Sequence, residues 1–150
     1  MEGVTTDAWT QAQVDRHEGK SLSQLAEALL ATAPEFDVVL PHIPSPINAQ
    51  MVMDAVTHEH DLRHAVGRAG AQDSSAVEVA MGWLLNMLEE KDPGRAQELA
   101  DSGVSRYELV RCLTGRRSIE QMNQLGLDGS HIATSLKGTP LIPPHTSVEI

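Results

Sequence analysis

Residues 51–66 read MVMDAVTHEHDLRHAV, and this stretch decides the fold prediction. It contains no glycine and no proline, and Gly67 follows it directly. A helix turns by about 100° per residue, so positions three, four and seven apart share a face. One such stripe carries the apolar residues Met51, Ala55, Leu62 and Val66. The pattern predicts a long amphipathic helix over 48–66 that ends at the glycine.

A second apolar stretch lies between residues 74 and 91 and predicts another long helix. Apolar side chains recur there at helical spacing, and Trp83 and Leu85 add apolar surface between them. A helix with apolar residues on more than one face is usually buried on more than one side. Asp73 or Ser74 is expected to cap it.

The composition favours packed helices over a β-sandwich. Of the 150 residues, 41% are hydrophobic but only 3% are aromatic, so the core has to be built from Leu, Val, Ala and Met. A β-sandwich usually relies on aromatic and β-branched residues. We therefore predict an all-α fold, a partial up-down bundle of about three longer helices followed by short helices.

The charge balance argues against two classes of partner. Lys and Arg number 11 against 21 Asp and Glu, a formal net charge of −10. Nucleic acids and anionic membranes both favour basic surfaces. No apolar run approaches the roughly 18 residues of a membrane span. Cys112 is the sole cysteine, which excludes an internal disulfide and fits a reducing compartment. We expect a cytoplasmic protein that binds neither nucleic acid nor membrane.

Caps and breakers outline the elements before the long helix. Asp7 is expected to cap a first helix that runs to residue 17, and Ser21 with Gln24 forms a capping box for the next one. Pro34 marks either a break or the first turn of a continuation. Three prolines make residues 41–46 a loop.

Similar signals outline the rest of the chain. Residues 95–103 are weakly helical in pattern, and a capping box of Ser105 and Glu108 predicts a short helix over 107–114. Ser118 is expected to cap another short helix. The tail from residue 138 is rich in proline and threonine, so we expect it to lie extended on the surface.

Histidines and aspartates on the long helix form the candidate site. Asp54 and His58, four residues apart, can reach one ion from the same face, and both are suitable ligands for Zn²⁺, Fe²⁺, Ni²⁺ or Mn²⁺. Asp61 would then hydrogen-bond the imidazole and fix its tautomer. The alternative is a histidine at the edge of the core that is hydrogen-bonded to a nearby aspartate. We expect His58 to face the core, and His60 and His64 to face water.

Other reactive residues give weaker signals. His42 lies in the proline loop and could swing toward the long helix. Cys112 lies among aliphatic residues, which predicts a small buried hydrophobe rather than a nucleophile. Arg116 and Arg117 follow a glycine that closes a helix. Such a pair can bind an anion, but it more commonly bonds acidic neighbours or the last helical carbonyls.

The long helix resembles the metal-binding helix of a known family, the mycothiol-dependent maleylpyruvate isomerases. That family belongs to the wider DinB-like group of metal-binding four-helix bundles. Its pattern is an acidic residue, a histidine four positions on and Asp-Leu or Asp-Ile three beyond. In this chain the pattern is matched in order and spacing by Asp54, His58, Asp61 and Leu62.

Two further stretches resemble the same family. Residues 8–22, AWTQAQVDRHEGKSL, resemble the helix pair that precedes the motif. Residues 107–118, YELVRCLTGRRS, resemble the C-terminal segment, which favours a Gly-Arg-Arg-Ser run. Together the three stretches follow the family order over most of the chain.

The resemblance implies a fold and a chemistry. Residues 1–90 would form a partial DinB-like bundle, and residues 91–150 a short helical segment with an extended tail. Asp54 and His58 would hold a divalent metal, with zinc the first expectation, and Asp61 would support the histidine. The metal would activate the thiol cofactor mycothiol for isomerase or transferase chemistry on a small-molecule or thiol substrate.

The chain also departs from the family. The family has an earlier helix that supplies another histidine ligand, and His17 does not lie where that ligand would. A small β segment often precedes the Gly-Arg-Arg-Ser run, and here only residues 89–104 fill the gap. We therefore expect a member without the first helix, shortened in the middle, whose two protein ligands hold the ion weakly.

Two other functions stay open at this point. A truncated, non-catalytic paralogue would act as a binding or interaction module, with His58 as a structural residue. The other hypothesis is a binding module attached to a transcription regulator, although the sequence predicts no basic recognition helix. A missing bundle helix would expose an apolar groove, and exposed apolar patches favour association, so a homodimer or a poorly soluble monomer is expected.

Overall fold

The computed structural model describes residues 6–147, and all regular structure within them is helical. The all-α prediction is therefore confirmed, while the DinB-like arrangement stays a prediction. In chain order the helices are α1 (Asp7–Asp15), α2 (Leu22–Val39), α3 (Ile47–Ala65), α4 (Ser75–Lys91), α5 (Arg95–Ala100), α6 (Arg106–Leu113), α7 (Ile119–Gln124) and α8 (Gly129–Ser135). A single 3₁₀ turn covers Leu40–His42. No helix in the described range combines the length and apolarity needed to cross a bilayer.

The chain divides into two compact units, residues 1–43 and 44–150. The first unit contains α1 and α2, and the second contains α3 to α8. Within the second unit, α4 packs against α3, α5 and α6. The domain division predicted from the sequence, 1–90 and 91–150, stays a prediction.

The core of the second unit is aliphatic, as predicted. Tyr107 is the one buried aromatic side chain among residues 6–147. Helix α4 is buried over several faces because α3, α5 and α6 all contact it. The best-buried apolar side chains are Val77, Ala80, Leu84, Leu88, Val110, Cys112, Leu113, Met122, Ile132 and Leu136.

Most helix starts follow the local capping signals. At α6, Ser105 accepts the Glu108 N–H, but the Glu108 carboxylate pairs with Arg117, so the predicted capping box is only half formed. Ser21 and Gln24 form the predicted capping box at the start of α2. Helix α1 is capped by Thr6 rather than by Asp7, because the Thr6 hydroxyl accepts the backbone N–H of Trp9. Pro34 lies inside α2, so the chain continues as a helix there instead of breaking.

The end of α6 is where the tail returns to the second unit. Gly115 has φ +75°, and a Cβ at this position would lie 2.7 Å from the carbonyl oxygen of Ile142. Only glycine allows both this backbone conformation and this close approach. Pro143 is buried, so the tail packs partly into the unit instead of lying wholly on the surface. Residues 148–150 of the predicted tail lie outside the described range.

Candidate functional site

Helix α3 buries a different face from the predicted one. Leu62 is 69% exposed and Val66 is 66% exposed, so the expectation that their apolar stripe is the buried face is wrong. The buried face has the same helical period as the expected stripe, and its two polar side chains each make a hydrogen bond. The Thr57 hydroxyl donates to the Met53 carbonyl at 2.7 Å. The face that packs inward consists of Met53, Val56, Thr57 and His60.

This rotation of α3 reverses the expected roles of the histidines. The His58 side chain is 62% exposed, so the expectation that it faces the core is wrong. His60 is 2% exposed, and its Nε2 lies 3.3 Å from the Ala71 carbonyl oxygen. A carbonyl can only accept, so Nε2 carries the hydrogen. His64 is half-buried, and its Nε2 shares a hydrogen bond with the Tyr107 hydroxyl at 2.5 Å. Neither His60 nor His64 therefore faces water freely.

The predicted metal ligands form an exposed pair. Nε2 of His58 lies 3.6 Å from Oδ1 of Asp54, whose side chain is 72% exposed. Nδ1 of His58 lies 3.8 Å from Oδ2 of Asp61. Across residues 6–147, no group of three or more His, Cys, Asp or Glu side chains is placed to hold a metal ion. The structure thus brings the two predicted ligands together and gives them no third donor of these types.

Asp61 forms an ion pair with Arg116 and is therefore not available to His58 alone. Its Oδ2 accepts from Nη2 of Arg116 at 2.7 Å, and Nη1 of Arg116 donates to the Thr114 carbonyl at 2.6 Å. Arg117 donates to both oxygens of Glu108, at 2.8 and 2.9 Å. The prediction that this arginine pair bonds acidic neighbours and helix-end carbonyls is confirmed.

Arg111 is the residue that sequence reasoning missed. It lies in α6 and is 2% exposed, yet within the described chain none of its three guanidinium nitrogens has a hydrogen-bond partner. Its nearest carboxylate atom is Oδ1 of Asp61, 3.8 Å from Nη1. Its guanidinium carbon lies 5.8 Å from the centre of the Tyr107 ring. The available signal was a basic residue inside the apolar run LVRCL of a short helix.

These residues make a positively charged cluster between α3 and α6. The pKa of His64 is lowered by burial first and then by the charges of Arg111 and Arg117. Burial also lowers the pKa of Arg111 itself. We call Asp61, His60, His64, Tyr107, Arg111 and Arg116 the arginine cluster.

Cys112 lies beside this cluster in sequence but is buried in the core. Its side chain is fully buried, and burial raises the pKa of its thiol to about 12. A thiol that is both inaccessible and protonated is a poor nucleophile. The prediction that Cys112 acts as a small buried hydrophobe is therefore confirmed.

The first unit presents an uncovered apolar line on α2. Neither α1 nor α2, both within the described range, contains a buried residue. Leu22 is 85% exposed, Leu29 is 73% exposed and Val39 is 54% exposed. These residues belong to a line with alternating spacings of three and four, which we call the α2 seam: Leu22, Leu25, Leu29, Thr32, Phe36 and Val39.

Comparisons with known proteins do not add a name to these features. No family model, no curated protein and no solved structure matches the chain. The resemblance to the mycothiol-dependent maleylpyruvate isomerases therefore stays a prediction, together with the metal, thiol cofactor and isomerase or transferase activity that it implies.

Proposed function

We propose that this protein is a helical association module that pairs with a second copy of itself through α2. The observation that carries the proposal is the exposure of the α2 seam, where Leu22, Leu29 and Phe36 are 85%, 73% and 44% exposed. Exposed apolar surface of this kind typically marks an interaction site. This is the interaction-module hypothesis of the sequence analysis, with a second copy of the chain as the partner.

The spacing of the seam suits pairing between two like helices. Leu22, Leu29 and Phe36 occupy the first position of successive heptads, and Leu25, Thr32 and Val39 the fourth. Apolar residues at these two positions are the pattern by which helices pack side by side as a coiled coil. The Thr32 hydroxyl donates to the Leu29 carbonyl of its own helix at 2.8 Å, so its polar group needs no partner across the seam.

The flanks of the seam allow close approach of an identical helix. The positions on either side of it are Ala26, Ala28, Ala33, Glu35 and Leu40, mostly small or apolar. Glu27 and Pro34 fall at the heptad position farthest from the seam. Helix α2 has no basic residue, so its acidic residues have no opposite charge within the helix. These acidic residues lie off the seam, and two paired copies therefore bring no row of like charges face to face.

A matched pair of substitutions tests this pairing. Leu29→Glu places a carboxylate on the seam, whereas Ala31→Glu adds the same charge at an outward, exposed position of the same helix. Sedimentation equilibrium should show a dimer for the unsubstituted protein and for Ala31→Glu, and a monomer for Leu29→Glu. A concentrated unsubstituted protein that is monomeric, or two variants that dimerise equally, would refute the proposal.

A divalent-metal site at Asp54 and His58 is the second candidate function. In a tetrahedral zinc site with bonds of about 2.0–2.2 Å, two ligand atoms lie about 3.4 Å apart. Oδ1 of Asp54 and Nε2 of His58 are separated by 3.6 Å, so one ion fits both. When bound, such an ion would activate a thiol as the family resemblance implies. It ranks second because Asp61 is engaged by Arg116 at 2.7 Å.

Elemental analysis of untagged protein tests the metal site. This candidate requires near-stoichiometric metal, after incubation with the ion, in the unsubstituted protein and in His42→Ala, a variant in the 3₁₀ turn that is remote in sequence from the pair. His58→Ala should lose the ion. Protein that takes up no added zinc, nickel, manganese or iron would exclude this candidate and leave the association module.

A further inference from the structure

We propose that the arginine cluster is a binding site for a small oxyanion, a carboxylate or a phosphate. The starting observation is Arg111, which is 2% exposed and whose guanidinium has no hydrogen-bond acceptor within residues 6–147. A buried charge without a partner is costly, and proteins seldom keep one without a use. An oxyanion supplies the acceptors that a guanidinium lacks.

The charges around Arg111 leave room for one more anion. Asp61 is shared by two arginines, since it bonds Arg116 at 2.7 Å and lies 3.8 Å from Nη1 of Arg111. Glu108 is fully used by Arg117, which donates to both of its oxygens. Three arginines thus face two carboxylates. The chain as a whole has a formal charge of −10, so it repels anions over most of its surface. The local positive excess would therefore attract an anion to this cluster and not to the surface in general.

The groups around the guanidinium define what would bind. The Tyr107 ring lies over Arg111, and the Tyr107 hydroxyl is held by His64. Arg116 is 26% exposed, and the carboxylate of Asp61 that it bonds also lies 3.8 Å from the buried Arg111, so the cluster extends from the surface to the buried guanidinium. A planar guanidinium binds carboxylate or phosphate oxygens in pairs. The site is therefore suited to a small, compact anion and not to a polyanion.

Calorimetric titration with inorganic phosphate and with succinate, at ionic strength held constant with sodium chloride, tests the site. We expect saturable binding by at least one of the two anions, and the tighter one identifies the chemical class. Arg116→Gln should weaken that binding at least about tenfold, because it removes one charge-assisted partner. Arg106→Gln is the matched control, since Arg106 is an exposed arginine at the start of α6 that pairs with Glu78.

A second pair of variants tests the site while leaving Arg111 itself unsubstituted. Asp61→Asn removes the carboxylate that competes for Arg111, so it should tighten binding about tenfold. Glu59→Gln makes the same charge change on α3, where Glu59 pairs with Arg63, and should leave the affinity unchanged. Equal effects of Asp61→Asn and Glu59→Gln, or no binding of either anion, would overturn the proposal. So would equal affinities in Arg116→Gln and Arg106→Gln.

Discussion

Cys112 shows how burial sets the chemistry of one residue. It lies in the core with none of its surface exposed, and the pKa of its thiol is raised to about 12. Only the thiolate attacks a disulfide reagent. We predict that the native protein reacts with such a reagent near pH 8 at least about a thousandfold more slowly than the unfolded protein, whose thiol pKa is near 8.5.

Stopped-flow or manual mixing with a chromogenic disulfide reagent measures this difference. The same protein in denaturant is the control, because its single thiol is then exposed. Comparable rates in the two states would show that Cys112 is reached by solvent in the native protein.

His64 connects the arginine cluster to pH. Its pKa is lowered by burial first, then by Arg111 and Arg117, so the unfolded chain binds a proton at a higher pH than the native one. This contribution to the free energy of unfolding is therefore fully present above the unfolded pKa, near 6.5, and is lost as the pH falls toward the folded pKa. We predict that stability declines between about pH 7.5 and pH 5.5.

Denaturant unfolding at the two pH values checks this, with variants that separate His64 from the other histidines. His64→Gln should be less stable at both values, because it loses the bond to Tyr107, but its stability should depend less on pH. His145→Gln, an exposed position, should keep the pH dependence of the unsubstituted protein. An equal pH dependence in all three proteins would contradict the assignment.

At the scale of elements, the short helices of the second unit depend on their caps. Ser118 starts α7 with a complete capping box, in which its side chain accepts the Gln121 N–H and Gln121 bonds the backbone of Ser118. Its hydroxyl also contacts that of Ser147 at 3.1 Å. We predict that Ser118→Ala lowers the free energy of unfolding by about 1–2 kcal/mol.

Ser130 offers the matched control for the capping residue. It is an exposed serine inside α8, and it caps no helix. Ser130→Ala should change the free energy of unfolding by less than about 0.5 kcal/mol. Equal losses in the two variants would show that the cap of α7 contributes nothing beyond an ordinary surface serine.

At the scale of the whole molecule, burial is concentrated in one unit. Among the described residues, the buried apolar side chains all lie in residues 44–150, and α1 and α2 bury none. Stability depends mainly on apolar burial. We predict that residues 44–150 fold alone and, in dilute solution, unfold at the same temperature as the full chain.

Thermal unfolding of the two chains followed by circular dichroism measures this. Leu84→Ala, at a fully buried position, is the reference for a damaged core and should cost about 2–5 kcal/mol in either chain. A truncated chain that unfolds many degrees below the full one would show that the first unit stabilises the second.

The sequence by itself determined the helices and the makeup of the core. The capping box at Ser21, the cap at Ser118 and the glycine after α6 act over a few neighbouring positions, so the sequence reveals them. The scarcity of aromatic residues is likewise read directly from the composition. The pairing of Arg116 and Arg117 was also foreseeable, because a helix end next to acidic residues offers few other partners.

Only the tertiary structure decided which face of α3 is buried and therefore what its histidines do. Two stripes of that helix share the same period, and the choice between them depends on α4 and α6. His64 bonds Tyr107, a residue 43 positions away, and Asp61 bonds Arg116, 55 positions away. A helical period is a local property, whereas burial is set by contacts between distant segments. That is why the sequence brought Asp54 and His58 together, whereas the apolar run around Arg111 pointed at most to its burial and not to the missing acceptor within residues 6–147.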